Sequence, residues 1–294
     1  MRRVLRKQYR KAVNRYIGVM DRVVREAVAR ELDLRMRDLE PWAPTGVVPG
    51  DGQPPLLAPL LTRPSSREWY QFFRAHGAMI LPDKFTAAYL SRFEFAAQTI
   101  VDVGVADGTP ELYEALPDAR LILVDPLEEV RDIVGGQDRL KDRDVTFHVC
   151  AVGAEAGEAE LQVSSGTISK STLHSPTKVY GSDEFVTRRV PIRTLDEVIG
   201  PVGHPVGLKI DTEGHEVDVL RGATALLRET EFVIAEASIK TRFVGGYRFS
   251  DLVAVLAEND FELLDVLGLT PGSALFLDCL FVRKHSPLFK SRAT

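Results

Sequence analysis

The chain has 294 residues, 45% of them hydrophobic, with 37 Lys and Arg against 42 Asp and Glu, a formal net charge of −5. That is enough apolar material for one sizeable core, and the acidic balance argues against a surface that holds nucleic-acid phosphates. Two cysteines in apolar segments exclude a disulfide framework or cysteine metal cluster, and no apolar run of about eighteen residues offers a transmembrane segment, so buried thiols and a cytoplasmic location are expected.

Charge is uneven along the chain. Residues 1–40 hold 12 Lys and Arg against 6 Asp and Glu, a balance of +6, which leaves 25 against 36, or −11, for the remainder. Leu5, Tyr9, Ala12, Tyr16, Val19 and Val23 recur at spacings of three and four and predict one or two helices from about Val4 to Leu39. Such a basic helix packs on its own domain, makes a homo-oligomer or meets an anionic membrane; a nucleic-acid arm fits least, because the acidic body repels phosphates. Seven prolines from Pro41 to Pro64 then exclude regular structure. The division expected is a helical basic extension with a Pro-rich linker over 1–65 and a main domain over 66–294. From Ser66 the chain turns aromatic and helical, through Trp69, Tyr70, Phe72, Phe73, Phe85, Tyr89, Phe93 and Phe95. These rings cover one sheet face or, alternatively, line a substrate entrance.

Ile-Val-Asp-Val-Gly-Val-Ala-Asp-Gly at 100–108 reads as a buried strand running into a tight turn. Gly104 and Gly108 keep Cβ atoms out of that turn, Thr109 reads as a helix N-cap and Pro110 as the first helical residue. A second apolar strand ends at Asp125, where a doubly wound fold places the acid that accepts ribose hydroxyls. The turn reads Asp-x-Gly-x-x-x-Gly, with Val105 where a dinucleotide site needs a bare glycine against pyrophosphate. An acid at Asp102 suits instead a nucleoside with a cationic end, such as the ammonium of S-adenosylmethionine.

Parallel strands are predicted at 99–103, 121–125, 145–150, 206–211 and 232–236, with helices at 217–227 and 251–259 and a closing strand pair at 261–267 and 275–283. The stretch from Ala154 to Pro205 is too long for a plain connection; part should pair as a hairpin and part should cover the ligand.

Leu208-Lys-Ile-Asp-Thr-Glu-Gly-His-Glu-Val-Asp-Val-Leu-Arg-Gly-Ala223, preceded by Val190-Pro-Ile-Arg-Thr-Leu-Asp196, resembles the signature of the FkbM family of S-adenosylmethionine-dependent methyltransferases. The similarity extends to the turn at 102–108, to Val-Asp-Pro at 124–126, to Val149-Cys-Ala-Val-Gly153 and to Ser171-Thr-Leu173, and covers roughly 95–284. It departs at Asp107 and Asp125, where the family usually has Asn and Glu. The resemblance implies a class I, Rossmann-like α/β fold: a doubly wound, mostly parallel seven-stranded sheet with an antiparallel terminal hairpin, here with a helical N-terminal extension. It implies an O-methyltransferase acting on a hydroxyl of a sugar, glycolipid or polyketide-like natural product. Cofactor-binding positions then fall at Asp102, Gly104, Val105, Asp107, Gly108, Asp125, Pro126, Cys150 and Ala151.

Chemistry in such sheets sits at the carboxyl ends of the strands. Asp211, Glu213 and His215 are therefore the candidate bases for an alcohol nucleophile, His215 having the ordinary pKa best suited to the task and Asp211 the better position. His174 is a further candidate from the covering segment. Asp211, Glu213 and Glu236 could alternatively hold a divalent metal that binds a sugar diol. Arg242, Tyr247 and Arg248 read as a substrate loop. The rivals from other classes are a nicotinamide-dependent oxidoreductase, which Val105 disfavours, and a non-catalytic interaction protein using its basic helix.

Overall fold

Alternation within each apolar run decides the layers. In a strand successive side chains point to opposite faces, so a run that is apolar throughout needs a cover on both sides. The computed structural model, which describes residues 84–178, 184–269 and 275–290, shows this arrangement. Strand β1 (Thr99–Val103) is buried at all five positions. Val101 and Val103 join one hydrophobic cluster with Ile122, Val124, Leu208 and Ile210, while Ile100 joins a second with Leu121 and Leu123.

In chain order the described elements are α1 (Ala87–Leu90), β1, α2 (Pro110–Ala115), β2 (Arg120–Asp125), α3 (Glu128–Gly135), β3 (Val145–Val149), β4 (Ala151–Val152), β5 (Gly157–Ser164), β6 (Phe185–Arg193), α4 (Leu195–Ile199), β7 (Val206–Ile210), α5 (Glu216–Arg221), α6 (Thr224–Arg228), β8 (Thr230–Ser238), α7 (Phe249–Glu258), β9 (Phe261–Leu269) and β10 (Phe276–Arg283). Seven strands form one sheet in the order β3-β2-β1-β7-β8-β10-β9. The first five pair in parallel, and β10 runs antiparallel to both β8 and β9. This is the doubly wound, mostly parallel sheet with an antiparallel terminal hairpin that the sequence predicts. The reversal of strand order beside β1 opens the crevice where such folds bind ligands.

The extension at 1–65, including its predicted helices, and Trp69 to Phe73 lie outside the described residues. Among the described residues no helix is long and apolar enough to cross a membrane. Phe85, Tyr89, Phe93 and Phe95 pack against the second cluster, and the Phe95 ring stacks on Phe232 with centroids 4.2 Å apart. They cover a sheet face. Both cysteines are buried free thiols.

The insertion after β3 forms a small sheet in which β5 and β6 pair antiparallel over eight residues and β4 lies parallel to β6. The single helix predicted over 217–227 is instead two. Gly222 packs so closely on the Gly153 carbonyl that a Cβ would stand 2.0 Å from that oxygen, and the Asp196 carboxylate accepts the N–H groups of Ala225 and Leu226, each at 2.8 Å, starting a new helix. A polar side chain from the insertion thus competes successfully with helix propagation. Gly222→Ala is expected to cost about 3 kcal/mol, because the clash is with backbone that cannot swing aside. Chemical denaturation checks this; an unchanged midpoint would contradict the packing.

Candidate active site

The turn after β1 is held by backbone that few side chains tolerate. Gly104, Ala106 and Gly108 all have positive φ, at 76°, 49° and 88°. A Cβ on Gly104 would lie 1.7 Å from the Asp211 carbonyl oxygen, so the floor between β1 and β7 must be bare. Val105 turns into the core at 2% exposure, and Asp107 is exposed. Neither of them, nor Gly108, is among the residues lining the groove at the strand ends, whereas Gly104, Asp125, Pro126, Cys150 and Ala151 are.

At the end of β2, the Asp125 carboxylate accepts the Leu127 N–H at 3.0 Å and the Ala106 N–H at 3.3 Å. Burial nevertheless pushes its pKa up to about 6, the backbone donors opposing only part of the cost. It remains on the groove wall, a partly satisfied acceptor.

Asp102 is placed differently from the sequence expectation. Its carboxylate is 0% exposed and faces away from the groove: Oδ2 accepts the hydroxyls of Thr109 at 2.8 Å and Tyr113 at 2.5 Å, and Oδ1 lies 3.5 Å from Lys209 Nζ. Thr109 consequently makes no side-chain cap on α2. Pairing of Asp102 with Lys209 in adjacent parallel strands sets the two on one face. Burial would pull the Lys209 ammonium down, but Asp102 and Asp211 outweigh it and hold its pKa above the ordinary value. Lys209 also lies 3.4 Å from the Gly104 carbonyl and from Asp211 Oδ2, tying the turn to the end of β7. Asp102 therefore builds the turn from beneath. Asp102→Asn should lower stability by about 3 kcal/mol, as removal of one partner from a buried ion pair does, with the folded fraction keeping its ligand affinity. Unchanged melting with lost affinity would restore Asp102 to the ligand.

After β7 the chain turns through Asp211, Thr212, Glu213, Gly214 and His215. Glu213 and Gly214 have positive φ, and the buried Glu216 carboxylate clamps the turn by accepting the N–H groups of Thr212 at 2.9 Å and Gly214 at 3.0 Å. Asp211, Thr212 and His215 line the groove, but Glu213 does not. Glu213 Oε2 accepts from Arg242 at 3.0 Å, and the same guanidinium donates to Glu236. Arg242 is 3% exposed, and the Tyr247 hydroxyl donates to the Glu236 carbonyl. The substrate-loop reading of this pair gives way to a structural one.

Asp211, Glu213 and Glu236 do come within 4.8 Å of one another. Burial and the neighbouring carboxylates push Glu236 well above the usual range, with Arg242 opposing. Arg242 already supplies a cation between Glu213 and Glu236. His215 Nδ1 meets His174 Nε2 at 3.1 Å. Burial, reinforced by His174 and opposed by Asp218, pushes His215 down to about 4, and burial lowers His174 too. Both imidazoles are neutral at pH 7, so His215 lacks the near-neutral pKa that recommended it as a base.

The insertion contributes Ile168, Ser169, Ser171, Thr172 and Leu173 to the groove. Thr172 fixes this cover: it pairs with Gln162, and its hydroxyl donates to the Glu213 carbonyl at 2.7 Å. Lys209, Glu216 and Thr172 lie within the sequence motifs but have no role assigned from the sequence; the structure makes them supports of the turn and the cover. Only their position in strand, turn and cover reveals them. The groove as a whole presents the Asp125 and Asp211 carboxylates, with no Lys or Arg among the described lining residues.

A family model described as Methyltransferase FkbM domain matches residues 102–263. A hexuronic acid methyltransferase, AglP, of Haloferax volcanii is 40% identical over 81 residues, 26% of this chain and 33% of that protein. The match thus spans about a third of that relative's length. Among solved structures, Methyltransferase FkbM from Methylobacillus flagellatus superposes with a TM-score of 0.47 at 16% identity, covering 72% of this chain and 50% of that one. Aeropyrum pernix fibrillarin in complex with S-adenosyl-L-methionine gives 0.38 at 15%, covering 63% and 66%.

Proposed function

As this chain belongs to the methyltransferase FkbM domain family, we propose that it moves the methyl group of S-adenosylmethionine to a hydroxyl oxygen of a sugar, glycolipid or related natural product, with residues 66–294 as the catalytic domain. One observation carries the choice of cofactor: the groove at the strand ends holds two carboxylates and no cationic side chain among its described lining. That lining suits a sulfonium nucleoside and offers a pyrophosphate no cationic side chain. The nicotinamide reading is further disfavoured by the six-residue helix α2, which carries Glu111 in its first turn where phosphates need N–H groups and positive potential.

The fit of the cofactor rests on the chain's own donors and acceptors. Asp125 has acceptor capacity for ribose hydroxyls, Gly104 leaves the floor bare, and Cys150, Ala151 and Leu127 offer an apolar wall for an adenine ring. When bound, S-adenosylmethionine supplies an electrophilic methyl on a positively charged sulfur. The residues do the rest. Asp211, ending β7 on the groove wall, accepts the acceptor's hydroxyl proton as the oxygen attacks, and Lys209 holds that carboxylate in place. Glu213 lies off the groove against Arg242, and His215 is a weak base pushed down by burial, which leaves Asp211, on the groove wall beside Lys209, as the acting base.

A sugar as acceptor draws support from the hexuronic acid methyltransferase relative, and a hydroxyl as the methylated group from the neutral, hydroxyl-rich cover of Ser169, Ser171 and Thr172, which can hydrogen-bond a polyol. Labelled S-adenosylmethionine offered with hexuronate and neutral glycosides tests it. Label should appear as an alkali-stable methyl ether on the glycoside. Label on a carboxylate, which alkali releases, or on amine acceptors alone would overturn O-methylation of a hydroxyl.

A further inference from the structure

A second group of side chains, apart from the carboxylates at the end of β7, has the donor set of a metal site. His174 comes from the insertion, His215 from the turn before α5 and Asp218 from the first turn of that helix. One ligand atom of each lies within 4.8 Å of the others. His174 Nε2 stands 3.1 Å from His215 Nδ1, and His215 Nδ1 stands 3.6 Å from Asp218 Oδ2. With Zn–N and Zn–O bonds of about 2.0–2.2 Å, tetrahedral ligands stand roughly 3.4 Å from one another. The two separations bracket that edge.

Asp218 and the backbone of His174 are held by neighbours, whereas the buried His215 Nε2 has no hydrogen-bond partner among the described residues. Asp218 Oδ1 accepts from Arg221 at 3.0 Å, which leaves Oδ2 turned to the imidazoles. The Thr172 hydroxyl accepts the His174 N–H at 3.1 Å, so the loop-borne ligand is held at its backbone. The Asp218 side chain is 34% exposed, an entry path for an ion. The acidic trio of Asp211, Glu213 and Glu236 differs, because the Arg242 guanidinium binds two of its members.

We propose that His174, His215 and Asp218 bind one divalent cation of the zinc class, leaving a fourth position for water or a hydroxyl oxygen. Two imidazole nitrogens and one carboxylate suit Zn²⁺, Co²⁺ or Fe²⁺; Mg²⁺ and Ca²⁺ demand six or more oxygens. The ion ties the insertion to the turn that carries Asp211, closing the cover over the groove. The site stands on its ligand geometry and holds whether or not the methyl-transfer reading does.

Tag-free, full-length protein, stripped with a chelator and titrated with Co²⁺, tests it by visible absorption and calorimetry. One equivalent should bind per chain with the absorption of a low-coordinate Co²⁺ centre, uncompeted by Mg²⁺, and at least tenfold more weakly in His174→Ala and Asp218→Asn. Zn²⁺ should also shield His174 of the unmutated protein from acylation by diethylpyrocarbonate, a readout that needs no variant. No stoichiometric binding, full binding by both variants, or loss through Asp211→Asn alone would overturn the site.

Discussion

Asp211→Asn is expected to lower kcat by about 10²–10⁴-fold, the contribution of a positioned general base, while the Kd for S-adenosylmethionine stays within about threefold. The substitution keeps the side chain's volume and hydrogen bonding and removes its ability to take a proton. Its neighbours explain why no other group steps in. Glu213 Oε2 faces the Arg242 guanidinium at 3.0 Å, so proton transfer to it would break a buried ion pair. His215 is pushed down to about 4 by burial, and its Nδ1 is hydrogen-bonded to His174, so it is a weak base. Single-turnover kinetics beside calorimetry separate chemistry from binding. Full turnover in the variant would remove Asp211 from the reaction.

Asp125→Ala should weaken cofactor binding by about 100-fold or more. Each hydrogen bond to a charged acceptor contributes about 1.5–3 kcal/mol, and a ribose offers two hydroxyls. The same carboxylate sets a pH dependence of opposite sign for binding and for folding. Its folded pKa, raised by burial from 3.8 to about 6, makes its contribution to stability fully present below pH 3.8 and lost as pH rises through 6. The ionised form thus costs the ligand-free chain about 3 kcal/mol at neutral pH. Binding runs the other way, because hydroxyl donors need the ionised acceptor: affinity for S-adenosylhomocysteine should rise as pH rises through about 6 and then level off. Titration calorimetry from pH 5 to 7 reads this, and the slope should vanish in Asp125→Ala. A flat profile in the unmutated protein would mean that Asp125 does not face the ribose.

The central strands were legible because each is a short run that must be buried on both faces, and such runs leave little choice of period, while β3 is a half-buried edge strand. Thus β1, β2, β3, β7 and β8 fall where apolar runs predict them, and the glycine turn after β1 and the acid ending β2 meet at one crevice. What the sequence concealed depends on contacts between distant residues. The split of α5 from α6 needs Asp196 and the carbonyl of Gly153. The orientation of Asp102 is decided by Tyr113 and Lys209, which no periodicity places beneath it. His174 and His215 are 41 positions apart and meet only because the insertion folds back over the turn, pinned by Thr172. Arg242 reads from the sequence as part of a substrate loop; its neighbours make it the counter-ion of Glu213 and Glu236 instead.

A competition between nucleosides decides the account most directly. Titration of the ligand-free protein with S-adenosylhomocysteine should give one site per chain, lost in Asp125→Ala, with no heat from NAD at the same concentration. Saturable binding of NAD that displaces the sulfur nucleoside, or one-site binding of neither, would contradict it.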